Sequence, residues 1–326
     1  MQIRILSAED VHRALPMAKA IQVMRSAFGQ LSANRADVPL RTRITTDSGL
    51  LLLMPAFLRD SRELGMKVVS IWGDNPLKGL PAIIAIALVL DPDTGEPRAI
   101  VNGEALTAIR TGAGGGLAAD LLARPDAEVV TVFGSGVQAR AQLEAVCVVR
   151  PIKTVRIVGR TPSSVAAFAD EVRGWPTAPQ VELPATRRAA VEGADIIITA
   201  TSSEKPVFDG NDLSPGTHIT GVGSYAPHMQ EVDTVTVKKA KVVVDSLQAC
   251  LAEAGDLLVP LEKNIISKVD IHGELGSIVN GEIPGRESPE EITFFKSVGV
   301  AVQDASAATA ILREAEVQGL GTLAPL

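Results

Sequence analysis

Apolar runs of strand length dominate the first hundred residues. They lie at 41–45, 49–54, 64–71, 82–90 and 98–101. The turn signal Asp91-Pro92-Asp93-Thr94-Gly95 separates the last two, and the set predicts a mainly antiparallel sheet before residue 105. Ahead of it, residues 1–6 read as a short strand. Ser7-Ala8-Glu9-Asp10 has the form of an N-cap with acidic residues in the first turn, opening a helix to Leu15. Pro16 suits the first turn of a second helix to Leu31. The run 82–90 is the longest apolar stretch, far short of the ~20 residues of a spanning helix, and reads as a buried strand. Residues 105–122 read as a helix in spite of glycines at 112 and 114–116, which permit close backbone packing.

Beyond residue 127 the pattern changes. Strands at 128–133, 154–158, 181–183, 194–200, 218–222 and 241–244 are interleaved with helices at 137–149, 163–173 and 185–192. Such alternation predicts a parallel sheet covered on both faces. Residues 289–315 read as one or two helices. No internal repeat, low-complexity tract or long charge run interrupts the chain.

Charge and composition narrow the function. A net charge of -7 gives no general attraction to a phosphate backbone, which argues against nucleic acid. Aromatic residues are 3% of the chain, so platforms for stacking bases are scarce. No export signal or membrane segment is expected. Cys147 and Cys250, the two cysteines, sit in apolar text and are expected to be inert thiols in a reducing cytoplasm. His12, His218, His228 and His272 have no metal-ligand spacing, and no C-x-x-C occurs, so no metal is expected.

The strongest local motif is Thr131-Val132-Phe133-Gly134-Ser135-Gly136-Val137-Gln138-Ala139, a G-x-G-x-x-A between a strand and a helix. Gly134 permits the tight turn and Gly136 lets backbone approach a pyrophosphate. Ala139 lets helix and strand pack closely, and the helix N-terminus faces the anion. An NAD site usually ends its second strand in Asp or Glu, which binds the ribose hydroxyls. Here the strand ends Val158-Gly159-Arg160-Thr161-Pro162-Ser163. Arg160 can meet a 2′-phosphate, with Thr161 and Ser163 as further donors, so NADPH/NADP+ is expected ahead of NADH.

Three basic residues stand out upstream: Arg41, Arg110, and Lys67 within Leu64-Gly65-Met66-Lys67-Val68-Val69-Ser70. A lysine in an apolar strand is costly to bury without a partner, and its pKa shifts readily. Spacing alone does not unite the three.

The ordered set of motifs resembles the ornithine cyclodeaminase/mu-crystallin family over nearly the whole chain. It runs through Met54-Pro55-Ala56, Leu64-Gly65-Met66-Lys67, Asn75-Pro76, Gly79-Leu80-Pro81 and Arg110-Thr111-Gly112-Ala113. It continues through the glycine motif, Gly285-Arg286-Glu287 and Lys296-Ser297-Val298-Gly299. The resemblance implies an α/β protein: a Rossmann dinucleotide-binding domain (127–301) plus a second α+β substrate-binding and dimerisation domain (1–126 with 302–326). It implies a homodimer acting on a small imino or amino acid. Arg41, Lys67 and Arg110 match substrate-binding basic residues, with Lys67 close to the reacting nitrogen and carbon. Thr111, Gly134, Ser135, Gly136, Val137, Gln138, Arg160, Thr161, Ser163, Ala200 and Thr201 fall at expected cofactor positions, as do Ile219, Thr220, Gly221, Val222, Gly223, Ser297 and Val298. Tyr225, Val298 and Gly299 fall beside the substrate.

Two departures from the family pattern sharpen the expectation. True cyclodeaminases carry an Asp where Tyr225 stands and a Glu where Leu52 stands. Without those carboxylates, deamination and recognition of a second amine lose their support. Reduction of a preformed C=N needs neither. The leading expectation is therefore an NADPH-dependent reductase of cyclic ketimine acids, giving proline or pipecolate. An alanine-type amino acid dehydrogenase and an ornithine cyclodeaminase are the rivals of the same class. A non-catalytic NADPH-dependent binding protein is the rival of another class.

Overall fold

The structure, a computed structural model, describes all 326 residues. They form two compact units, Met1–Arg110 with Gly299–Leu326, and Thr111–Val298. The expected boundaries lay after residues 126 and 301. The first falls earlier because the later part of the helix around residue 112 packs on the Rossmann helix that follows. A Cβ on Gly112 would lie 2.5 Å from the Ala141 carbonyl oxygen, and Gln142 Nε2 donates to the Thr111 carbonyl at 2.7 Å.

In chain order the first unit holds β1 (Gln2–Leu6), α1 (Ala8–Ala14), α2 (Met17–Ser32), β2 (Ala36–Asp37), β3 (Thr42–Thr45), β4 (Leu50–Leu58), β5 (Glu63–Ile71), β6 (Ile83–Leu90) and β7 (Pro97–Asn102). Helix α3 (Gly103–Leu122) leads on to β8 (Val129–Phe133), α4 (Val137–Val149), β9 (Thr154–Val158), α5 (Pro162–Arg173), β10 (Gln180–Glu182), α6 (Arg187–Val191), β11 (Ile196–Thr199) and β12 (His218–Gly221). The second unit ends with α7 (Thr234–Lys239), β13 (Lys241–Val244), α8 (Leu247–Glu253), α9 (Gly255–Glu262), β14 (Ile271–Glu274), α10 (Leu275–Val279) and β15 (Thr293–Lys296). The chain then returns to the first unit as α11 (Ala301–Gln318) and β16 (Thr322–Pro325).

The first sheet runs β16-β1-β7-β6-β5-β4-β2, with β3 also on β4. All its pairs are antiparallel except β1 with β7. Ser7 caps α1 in a full capping box with Asp10, as its sequence suggested. Pairing places Met54, Lys67 and Ala87 side by side in one row, and Leu53, Val68 and Ile86 in the next. Successive rows face opposite sides of a sheet. The Lys67 face lies under α11, which packs on β4, β5 and β6 and is largely buried. On the other face Ile84 and Ile86 are exposed, so the run 82–90 is a half-exposed strand where a buried one was expected. Arg41 stands just before β3, outside the strand it was expected on.

The second sheet, β10-β9-β8-β11-β12-β15-β13-β14, is parallel throughout. It is a Rossmann-type fold. Val130, Val132, Val155 and Ile157 meet Ala139, Leu143, Val146 and Phe168 in one buried cluster. Truncating such a core residue, as in Leu143→Ala, typically costs ~2–5 kcal/mol. The stretch 289–315 corrects the helical expectation: Thr293-Phe294-Phe295-Lys296 is the fully buried strand β15, between β12 and β13. Threonine and phenylalanine favour strands, and only the part from Ala301 is helical.

Candidate active site

In the first unit Lys67 comes from β5, Arg110 from α3 and Arg41 from the segment entering β3. The alternation of β5 turns Lys67 inward to 2% exposure. Its Nζ lies 2.9 Å from Asp304 Oδ1 and 3.4 Å from Thr107 Oγ1. The same Asp304 oxygen accepts from Arg110 Nε at 3.0 Å, and Arg110 Nη1 donates to Gln303 Oε1 at 3.0 Å. Arg41 Nη2 donates to the Gly299 carbonyl at 2.7 Å. Thus Arg41, Lys67 and Arg110 are brought together within this unit, joined by the start of α11.

Asp304 and Gln303 are site residues that the sequence reading missed. A signal existed: Asp304 is the only charged residue between Lys296 and Arg313, in a helix otherwise built to be buried. Gly299 has φ +79°, and a Cβ there would lie 2.7 Å from Arg110 Nη1. Only glycine allows both that backbone and that guanidinium.

The electrostatics follow from the count of three cations to one carboxylate. Burial depresses the Lys67 pKa, the Arg110 cation adds to the effect, and Asp304 opposes it, leaving the amine at about 8. Asp304 Oδ2 is buried with no hydrogen-bond partner, so the carboxylate retains an acceptor. An anion brought to this cluster meets a net positive charge in a dry setting, where Coulomb attraction is strong.

In the second unit a cleft of about 560 Å³ opens at the carboxyl ends of β8, β9 and β11. Gly134, Ser135, Gly136, Arg160 and Thr161 line it, and so do Ala200 and Thr201. Gly134 has φ +117°, and a Cβ there would meet the Ala200 carbonyl oxygen at 2.4 Å. Gly136 is the N-cap of α4 with no side-chain cap, and a Cβ on it would meet nothing. These features fit a pyrophosphate lying over the helix N-terminus. Gln138 Oε1 beside it is buried with no partner. No Asp or Glu lines the cleft, and a second guanidinium, Arg187 at the start of α6, joins Arg160 there. Arg187 was not singled out in the sequence.

Other expected cofactor positions lie outside the cleft lining. Ser163 is exposed on α5, Val137 is exposed, and Thr111 is partly buried on α3. Ile219 and Thr220 are sealed inside β12, where the Thr220 hydroxyl lies 3.0 Å from His218 Nε2. Their side chains are turned into the sheet, so any contact with a ligand would come from their backbone. The end of that strand, Gly221, Val222 and Gly223, is better placed. Tyr225 is half exposed and Leu52 is buried on the Lys67 face of β4.

The remaining candidates have structural explanations. His218 is wholly buried between two threonine hydroxyls, and burial together with the Arg286 and Arg150 cations pushes its pKa down to about 3. Burial pushes the Cys147 thiol up to about 12, and the Cys250 thiol also rises well above its ordinary value. Both cysteines are free. No group of three or more His, Cys, Asp and Glu is placed to hold a metal, and no helix is long and apolar enough to cross a membrane.

The sequence profile of the ornithine cyclodeaminase/mu-crystallin family matches residues 1–319. A Delta(1)-pyrroline-2-carboxylate reductase of Bacillus cereus is 39% identical over 320 residues, 97% of this chain and 98% of that protein. The structure of a Delta(1)-pyrroline-2-carboxylate reductase of Thermococcus litoralis, in complex with NADH and L-proline, is 40% identical with TM-score 0.93, covering 98% of this chain and 99% of that one. An archaeal alanine dehydrogenase dimer with bound NAD is 33% identical with TM-score 0.93, each chain covered in full.

Proposed function

The chain belongs to the ornithine cyclodeaminase/mu-crystallin family, and we propose that it reduces cyclic ketimine acids, converting Δ1-pyrroline-2-carboxylate or its six-membered homologue to L-proline or L-pipecolate. It is a nicotinamide-dependent oxidoreductase acting on C=N and CH–NH bonds. The observation that carries the reading is the cluster of buried Lys67 and Arg110 on the single carboxylate of Asp304, with the half-buried Arg41 held at Gly299.

The two arginines bind the substrate carboxylate. Lys67 puts a proton on the ring nitrogen as C2 becomes tetrahedral. With a pKa of about 8 it is mostly charged at neutral pH, yet it releases its proton more easily than an ordinary lysine. Asp304 holds Lys67 and Arg110 through one oxygen and so fixes donor and clamp in register. When bound, the dinucleotide supplies the hydride that C2 receives. Gly134, Gly136 and the α4 N-terminus would hold its pyrophosphate. Arg160 and Arg187, with no competing carboxylate in the cleft, favour the 2′-phosphate of NADPH. Relatives solved with NADH and NAD share the dinucleotide, and the phosphate preference rests on this chain's own arginines.

The exposed face of the first sheet supports a homodimer. Ile86 continues into Val68 and Leu53 as an apolar row, with Ile84 exposed next to it on the same face, and a dimer is the form of the archaeal neighbour. Two free cysteines suit a reducing cytoplasm.

The test is a screen of cofactor oxidation over five- and six-membered ketimine acids, with pyruvate plus ammonia and ornithine as comparison arms. Turnover fastest on a ring ketimine is the expected result. Pyruvate plus ammonia as the best pair would replace the reading by an alanine-type dehydrogenase, and no turnover on any arm would leave a binding protein.

A further inference from the structure

The Rossmann unit buries four charged side chains that neither the fold motif nor the proposed chemistry uses. Glu231, Asp245, Asp256 and Lys296 are each fully buried. A buried carboxylate is costly unless its oxygens are saturated with donors, and here the donors come from loops.

Glu231 accepts five hydrogen bonds. They come from the Thr199 hydroxyl, the Thr201 N–H and hydroxyl, and the N–H groups of Gly223 and Ser224. It thereby ties the segment leaving β11 to the segment leaving β12. The approach is tight: a Cβ on Gly223 would lie 2.2 Å from the Thr201 carbonyl oxygen and 2.4 Å from Glu231 Oε1. Glu231 is held in turn by Asp256, whose Oδ1 accepts the Glu231 and Val232 N–H groups at 2.7 and 2.9 Å. Lys296 Nζ stands 2.9 Å from the other Asp256 oxygen. Asp245 does for β15 what Glu231 does for its neighbours. Its Oδ2 accepts from the Ser297 hydroxyl at 2.7 Å and the Val298 N–H at 2.9 Å.

The sheet order gives these ties a direction. The glycine motif follows β8, and β9 and β10 lie to one side of it, with β11, β12 and β15 to the other. In a doubly wound sheet the two halves of a dinucleotide occupy the two sides of that switch point. Arg160 and Thr161 mark the adenine side. The segments tied by Glu231 and Asp245 all lie on the opposite side, and Thr201 lines the cleft itself.

We propose that Glu231 and Asp245 are positioning residues, which hold the loops after β11, β12 and β15 in the shape that receives the nicotinamide half of the cofactor. The proposal rests on dinucleotide binding as read above. It separates these carboxylates from general stability elements, because only one half of the ligand should sense them.

The experiment compares ligands that differ by the nicotinamide ring alone: NADPH against 2′-phospho-ADP-ribose, and NADH against ADP-ribose. Dissociation constants are measured by calorimetry on the whole chain, for wild type, Glu231→Gln and Asp245→Asn, below each variant's melting point. Thr199→Val, which removes one donor to Glu231 without touching charge, covers the case in which a carboxamide variant does not fold. The expected result is a tenfold or greater weakening of the dinucleotide with less than twofold change for its ADP-ribose partner, in weaker form for Thr199→Val. Equal weakening of both ligands, or of neither, overturns the proposal. A wild type that binds neither ligand overturns it together with the cofactor reading, which keeps the two failures apart.

Discussion

In the first unit one buried carboxylate, Asp304, serves two cations within 3.0 Å, and Arg41 adds a third close by. In the second unit the ratio is reversed: Glu231, Asp245 and Asp256 are all buried, and Lys296 pairs with Asp256 alone. The rest of that negative charge is met by backbone N–H groups and hydroxyls. A carboxylate saturated by the loops around it fixes backbone and has no capacity left for chemistry. A cluster with excess cations is incomplete until an anion arrives, so its stabilisation is realised on binding.

Lys67→Met should lower kcat by roughly 10²–10⁴-fold, the range for loss of a positioned general acid, while dinucleotide affinity measured by fluorescence is retained. A near-normal kcat would demote Lys67 to a binding residue. Asp304→Asn sharpens the point through pH. Asp304 raises the Lys67 pKa against burial and the Arg110 cation, so its removal lowers that pKa further. Reduction needs protonated Lys67. The wild-type rate should therefore fall as pH rises through about 8, and the variant's fall should move to lower pH. An unmoved or upward-moving limb would mean that another group is the donor.

Arg41→Met should act mainly on KM. A charge-assisted carboxylate contact is worth about 1.5–3 kcal/mol, roughly tenfold to a hundredfold in affinity. Lys67 and Arg41 should thus differ in kind, one in kcat and one in KM. Equal losses in both constants from Arg41→Met would place that residue in the chemical step as well.

How much of this contrast could be read in the sequence depends on how local each signal is. The glycine motif, the strand before it and Arg160 lie within about thirty consecutive residues, and the structure keeps them together at one cleft. Lys67 stood out because a lysine inside Leu64-Gly65-Met66-Lys67-Val68-Val69 has no local partner. That partner, Asp304, is 237 residues away, on a helix that returns to the first sheet only through tertiary packing. Glu231 was missed for a similar reason. Its five donors come from two other loops, and nothing near residue 231 distinguishes it from a solvated glutamate. The strand β15 was read as helix because it is short, buried on both faces and followed directly by a long helix. The ordered motifs supplied what local pattern could not, by placing Arg41, Lys67 and Arg110 in one site before geometry was known.

A smaller effect is expected at the cofactor's 2′ end, where both arginines are exposed and solvent screens them. Arg160→Ala should reduce the preference for NADPH over NADH, measured as the ratio of kcat/KM, by something like tenfold, and adding Arg187→Ala should reduce it further. If wild type uses both cofactors equally, the phosphate preference is wrong while the dinucleotide site stands.

The smallest expected effect is none at all: ornithine should not be cyclised. Cyclisation with loss of ammonia needs a group to bind the distal amine and a carboxylate to shuttle protons. On the Lys67 face of β4 the residue at hand is Leu52, buried and apolar. By the family pattern the second carboxylate position is taken by Tyr225, which is half exposed. Asp304 is the one carboxylate bonded to Lys67 and Arg110, and its Oδ1 is already shared by both. A buried ammonium facing leucine instead of a carboxylate is a desolvated charge without a partner, several kcal/mol uphill. Incubation with ornithine and either oxidised cofactor, followed by assays for proline and ammonia, should therefore give only background. Efficient release of both products would show that a carboxylate other than Asp304 reaches the site, and would cost the contrast its premise that the cluster of Lys67, Arg110 and Arg41 is served by a single one.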